Sequence, residues 1–161
     1  MVHKIDLKKK KPGANVRAGI VAARWNSMVT DPMLEGALEV LQKKGIPEEQ
    51  ITVVRCPGSY EIPLSCKHLL DHLNLDGVVA IGAIIRGETP HFDYVCDAVN
   101  RGIAELNLTY GKPVAFGVLT TNTMDQAMER AGNEYGNKGA EAALAMCEMI
   151  TLKRELEDFG A

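Results

Sequence analysis

From Gly77 to Tyr94 the chain reads Gly-Val-Val-Ala-Ile-Gly-Ala-Ile-Ile-Arg-Gly-Glu-Thr-Pro-His-Phe-Asp-Tyr. Val78 to Ile85 is a nearly unbroken apolar run rich in β-branched residues, the pattern of a strand buried on both faces of a parallel sheet. The run stops at Arg86, and Gly87, Thr89 and Pro90 predict a turn. From His91 the apolar residues Phe92, Val95, Val99, Ile103 and Leu106 recur at steps of three and four, which predicts a helix. One buried strand thus brings an arginine, a threonine, a glycine-relaxed backbone and a histidine to one place. Open parallel sheets gather ligands at the carboxyl ends of their strands. On pattern alone, His91 can equally be no more than a helix start, and Arg86 a solvated cation.

The rest of the chain repeats this unit. Val16–Ala23 reads as a first central strand, ending at Arg24-Trp25-Asn26. Thr30-Asp31-Pro32 predicts the start of a helix, with a capping side chain and proline at the first helical position. Leu34, Ala37, Leu38 and Leu41 give that helix its apolar face, and Gly45 ends it. Ile51–Cys56 is the second strand; Pro57-Gly58 and Ser59-Tyr60-Glu61 follow, then a helix from about Ile62 to Leu73. Pro113–Leu119 is the fourth strand, ending in Thr120-Thr121-Asn122, with a short helix over Met124–Arg130 after it. A glycine-punctuated turn spans Ala131–Gly139. The last helix is expected over Ala140–Glu157, with Leu144, Met146, Met149, Ile150 and Leu152 on or near its buried face. Four strand–helix units plus one helix call for a parallel sheet covered on both faces, wound through right-handed crossovers. No linker or internal repeat divides it.

Several function classes are set aside by what is missing. A net charge of −3, with 46% hydrophobic and 24% charged residues, is that of an ordinary globular domain with no pull towards nucleic acid or an anionic membrane. Lys8 to Lys11 form one short basic run before Pro12-Gly13, read as part of a flexible arm over residues 1–15, with a single domain over 16–161. No run reaches the ~18 apolar residues of a spanning helix. The amino terminus offers no secretion-signal core, so the cytoplasm is the expected location. Cys56, Cys66, Cys96 and Cys147 show no metal spacing and read as small buried residues in a reducing compartment. His68 and His72 lie one helical turn apart without a third ligand, and read as surface histidines. Met124, Met128, Met146 and Met149 read as packing. There is no phosphate-binding P-loop, no dinucleotide glycine fingerprint and no nucleophile elbow.

What remains is chemistry shared by the four strand ends. Trp25 and Phe116 can sandwich a flat ring. Asn26, Ser59 and Glu61 suit hydroxyls or amides of a polar ligand. Gly87 lets the amides of Glu88 and Thr89 approach an anion just before a helix begins, with Arg130 or Lys138 adding positive charge. His91 suits proton transfer near neutral pH. The pattern therefore describes an α/β protein binding a flat heterocycle and a small phosphate.

Five stretches carry more than pattern: Arg24-Trp-Asn26, Pro57-Gly-Ser-Tyr-Glu-Ile-Pro63, Gly82 to Val95, Phe116-Gly-Val-Leu-Thr-Thr-Asn122, and Arg130-Ala-Gly with Gly136-Asn-Lys-Gly139. In this order and register, from about Val16 to the end of the last helix, they closely resemble the 6,7-dimethyl-8-ribityllumazine synthase family of riboflavin biosynthesis. The resemblance implies a flavodoxin-like three-layer α/β/α sandwich with a four-stranded parallel sheet and room for an added N-terminal edge strand. It implies a transferase without metal or organic cofactor, joining 5-amino-6-(D-ribitylamino)uracil to 3,4-dihydroxy-2-butanone 4-phosphate. By that likeness Trp25 and Phe116 border the pyrimidine, Ala83, Ile84 and Ile85 line its site, and Ser59, Tyr60 and Glu61 hold the ribityl chain. The backbone of Glu88 and Thr89, with Arg130 and the basic Lys138, takes the phosphate, and His91 gives the proton. The family pattern also implies homopentamers whose sites lie between neighbours, with Phe116 or Arg130 supplied across the interface. A sixty-subunit icosahedral shell and an association with riboflavin synthase are further implications.

Trp25 stands where many members carry phenylalanine, and Glu88 where many have a small residue; the Glu88 side chain is therefore expected to point away from the phosphate. The rival readings are a non-catalytic lumazine- or flavin-binding shell and a flavodoxin-like electron carrier.

Overall fold

The computed structural model describes residues 1–161. Four parallel strands, β1 (Ala18–Ala23), β2 (Ile51–Cys56), β3 (Gly77–Ile85) and β4 (Val114–Thr121), form one sheet in the order β2-β1-β3-β4. β1 is buried along its whole length and β3 at every residue but Ile85, as their apolar runs demand. β2, at one edge, is only partly covered. Residues 1–15 form no strand, and Lys8 to Lys11 are exposed. Lys10 pairs with Glu155 at 2.9 Å, while Arg154 donates to the carbonyls of Pro12 and Ala14.

Helix α1 (Ser27–Lys43) and the last helix, α5 (Lys138–Gly160), cover one face of the sheet over a core of 21 buried residues. Helices α2 (Ile62–His72) and α3 (His91–Tyr110) cover the other, over a core of 18. The buried residues of α3 are Phe92, Val95, Val99, Ile103 and Leu106, the spacing read from the sequence. A short helix α4 (Met124–Glu129) follows β4, capped by reciprocal bonds between Thr123 and Gln126. The sheet order reverses between β1 and β3, so the loops leaving them turn to opposite faces and open a crevice between.

Four boundaries differ from expectation. Helix α1 begins at Ser27, which leaves Pro32 inside the helix. Thr30 and Asp31 are not its cap: the Thr30 hydroxyl donates to the Ala23 carbonyl and Asp31 pairs with Arg55 at 2.8 Å. β4 continues through Thr120 and Thr121, so Phe116 is the third of its eight residues rather than near its end. The expected turn after α4 contains a small hairpin, β5 (Ala131–Asn133) and β6 (Gly136–Asn137). α5 starts two residues early and buries Gly139, Ala142, Ala143, Met146, Cys147, Ile150 and Thr151, leaving Leu144 and Met149 exposed. Small residues set that face because α5 crosses α1 closely: a Cβ on Gly139 would lie 2.1 Å from the Met33 carbonyl oxygen.

Candidate active site

At the crevice between β1 and β3 lies a cavity of about 720 Å³. Its β1 side is Trp25 and Asn26. The Arg24 and Trp25 amides donate to the carbonyls of Cys56 and Pro57 at 2.8 and 3.1 Å, extending the β1–β2 pairing past the strands. Asn26 then adopts a left-handed conformation (φ 62°), and its side-chain amide donates to the Ala83 carbonyl at 2.8 Å. Asparagine tolerates that conformation better than most residues. One N–H of its side-chain amide thus pins the turn while Asn26 still lines the cavity, and the indole of Trp25 is left 72% exposed beside it.

The β2 side is the single 3-10 turn Ser59–Glu61, entered through Gly58. Ser59 is buried against β3, where Gly82 leaves the space it needs: a Cβ there would sit 2.6 Å from Ser59 Oγ and 2.7 Å from Ile62 Cδ1. Tyr60 and Glu61 line the same cavity with exposed side chains.

Ala83, Ile84 and Ile85 of β3 form the floor, and Gly87, Thr89 and His91 the wall that follows. Pro90 precedes α3 without a side-chain cap. The amides of Gly87, Glu88, Thr89 and His91 donate to no acceptor in the chain. Unpaired amides at a helix start are suited to an anion. Gly87 has an ordinary backbone conformation, and a Cβ there would meet nothing within 4 Å. Packing within the chain therefore gives no reason for glycine at that position. Glu88 is exposed and lies outside the cavity lining.

Arg86 leaves this group. Its Nε donates to Asn122 Oδ1 at 3.0 Å, its guanidinium stacks 4.3 Å from the Phe92 ring centre, and it faces Asp93 at 3.6 Å. It braces the β3 and β4 ends and borders a neighbouring cleft instead.

Phe116, Arg130 and Lys138 also lie elsewhere. They border a second cleft of about 470 Å³ that shares no lining residue with the first. Phe116 pairs in register with Ala80, five residues before β3 ends, or roughly 16 Å along the strand. Arg130 follows α4, donates to the Gln126 carbonyl at 2.8 Å, and lies 4.8 Å from the Tyr135 ring centre. Lys138 opens α5, pairs with Glu141 at 3.1 Å, and donates its amide to the Arg130 carbonyl at 2.9 Å. Two cations and a 45%-exposed phenyl ring thus border one cleft that His91 does not line.

No side chain in the cavity is set up as a nucleophile. Burial raises the Cys56 thiol above its ordinary value and pushes Cys66 up to about 12, so both are protonated at neutral pH. Cys147 is pushed up to about 11 by burial, and Cys96 is raised by the same cause. His68 and His72 are exposed with ring centres 6.0 Å apart.

Met124, Phe92 and Val95 line the cavity although the sequence pattern marked them as packing or left them unassigned to the site. Met124 is 38% exposed at the mouth. The Thr123-x-x-Gln126 capping box was the available signal, since it places residue 124 at the first helical position directly beyond a strand end.

A family model described as 6,7-dimethyl-8-ribityllumazine synthase matches residues 15–154, which includes every cavity residue and both cations of the second cleft. With nearly the whole folded region matched, the chain belongs to the 6,7-dimethyl-8-ribityllumazine synthase family, transferases of riboflavin biosynthesis.

Proposed function

We propose that the protein condenses 5-amino-6-(D-ribitylamino)uracil with 3,4-dihydroxy-2-butanone 4-phosphate to give 6,7-dimethyl-8-ribityllumazine, phosphate and water. One observation carries the reading: a free indole, a buried serine turn, unpaired amides and a histidine line a single cavity at the sheet's switch point. The Trp25 indole stacks on the pyrimidine above Ala83, Ile84 and Ile85. Ser59, Tyr60 and Glu61 hold the ribityl hydroxyls, while Asn26 fixes the turn that presents the indole. The Glu88 and Thr89 amides take the phosphate.

The chemistry needs little more. The 5-amino group attacks the ketone, and His91 supplies and removes protons as the carbinolamine loses water to an imine. Loss of phosphate is eased by donors already aimed at the leaving oxygens. Closure by the ribityl-bearing nitrogen expels the second water. Holding amine and ketone in contact provides much of the acceleration, so no nucleophilic side chain or cofactor is called for.

The second cleft completes the site on a neighbouring subunit. Phe116, Arg130 and Lys138 do not line the Trp25 cavity of their own chain, although Phe116 also borders the cleft next to it with Arg86 and Phe92; this supports a ring in which each chain lends these residues to the next. We take that ring to be a pentamer. The unpaired β4 edge and the exposed Tyr94, Leu108, Leu144 and Met149 are surfaces such contacts would cover. The short connection over residues 131–137 favours further assembly into a sixty-subunit icosahedral shell. Riboflavin synthase is then a candidate companion, the cytoplasm the site of action, and the basic arm over 1–15 a contact to a neighbour. No helix is long and apolar enough to cross a membrane.

Mixing the two substrates with the protein and following lumazine absorbance tests the reading. Product formation at a rate proportional to protein supports it. Binding of both substrates without product would instead make the protein a non-catalytic binder.

A further inference from the structure

We infer that Asn137 is a positioning residue, its side-chain amide locking α5 against α1 so that Arg130 and Lys138 hold one fixed placement. The inference rests on the functional reading above, in which these two cations receive the phosphate.

Both ends of the amide are in use. Asn137 Oδ1 accepts the Ala140 amide hydrogen at 3.0 Å, capping α5. Nδ2 donates to the Pro32 carbonyl at 2.9 Å, across 105 residues of sequence. The group lies flat on Gly36 of α1, where a Cβ would come within 2.4 Å of Nδ2 and 2.6 Å of Cγ. Two residues on, Gly139 meets the Met33 backbone. Glycine at both 36 and 139 thus leaves room for a joint in which one amide spans two helices.

That joint sits at the root of the cation pair. Ala131 pairs with Asn137 across the β5–β6 hairpin, and the Lys138 amide bonds to the Arg130 carbonyl. Arg130 and Lys138 therefore flank the hairpin whose closing residue is Asn137. The helix it grips, α1, begins directly after Trp25 and Asn26. A guanidinium gains from a phosphate only where its donors already point at the oxygens. A helix cap alone could be served by serine or aspartate. The tether to Pro32 needs a donor as well, which an amide provides and a carboxylate does not.

Two variants separate the tether from the cap. Asn137→Ser keeps a capping hydroxyl and is too short to reach Pro32. Gly36→Ala leaves Asn137 in place and displaces its amide from the other side, in a helix where alanine is otherwise favoured. Both should raise KM for the phosphorylated ketone roughly tenfold, the scale of a weakened charge-assisted hydrogen bond. kcat and KM for the pyrimidine should stay within about twofold. Inorganic phosphate, titrated calorimetrically, should bind both variants more weakly by a similar factor. An unchanged KM for the ketone in both variants would overturn the inference, as would a joint rise in both KM values with a falling kcat. A parent protein that turns over neither substrate refutes the functional reading instead, and the phosphate titration then decides the role of Asn137.

Discussion

Replacing Gly82 by alanine tests whether the serine turn is held in place by the strand beneath it. The added methyl would lie 2.6 Å from Ser59 Oγ and 2.7 Å from Ile62 Cδ1, about 1 Å inside ordinary contact. β3 cannot retreat, because Gly82 sits in the β4 ladder and Ile81 before it pairs with β1. Ile62 is fully buried and Ser59 nearly so. Overpacking of this kind costs about 1–3 kcal/mol. Losing glycine's freedom in the unfolded chain returns about 0.4–1 kcal/mol. The net is a loss of about 1.3 kcal/mol at mid-range, which lowers Tm by roughly 3–5 °C in a domain of this size. The displaced segment is Ser59–Glu61, so KM for the ribitylated pyrimidine should rise about tenfold or more, since displacement by 1 Å can cost 10²-fold. Gly87→Ala is the control: its methyl meets nothing within the chain and its backbone conformation is ordinary, so Tm should hold or rise by a few degrees. Calorimetry with initial-rate kinetics on both variants decides. A Gly82→Ala protein with native Tm and native KM for the pyrimidine would refute the steric argument.

If the imidazole moves protons rather than holding substrate, as proposed, His91→Ala should lower kcat by about 10²–10⁴-fold while both KM values change only a few-fold. Steady-state kinetics shows this; a KM effect with native kcat would contradict it. Between α2 and α3, Lys67 donates to Asp71 Oδ2 at 2.6 Å and the Tyr110 hydroxyl donates to Oδ1. These bonds, that from Lys67 first, hold the Asp71 carboxyl below the usual carboxylate range. A carboxyl lowered on folding stabilises above its unfolded value near 4 and loses that contribution as pH falls through the lowered one. Tyr110→Phe should therefore flatten the decline of Tm below about pH 4; identical acid limbs would count against the clamp.

The parts of the fold legible in the sequence are those where one signal dominates. β1 and β3 announced themselves as unbroken apolar runs, and α3 by strict three–four spacing from Phe92 to Leu106. The start of α1 did not, because Thr30 and Asp31 look like a cap and are spent on Ala23 and Arg55. The buried face of α5 was obscured because glycine and alanine, rather than Leu144 and Met149, approach α1 and the sheet. At the site, Trp25, Ser59, Ala83, Thr89 and His91 fall together because each follows or ends a strand at the same edge of the sheet. Arg86 shares that edge yet turns towards Asn122, a choice set by side-chain partners and invisible in spacing. The separation of Phe116 from Trp25 depends on the β3–β4 register, which no local pattern encodes.

The claim on which the rest depends is that a complete site draws His91 from one chain and Arg130 from the next. Preparing His91→Ala and Arg130→Ala separately, then unfolding and refolding them as an equal mixture, measures it directly. Random assembly would rebuild native sites at roughly a quarter of positions, so the mixture should recover about that share of native turnover. A mixture no more active than the average of its two parents would contradict the account.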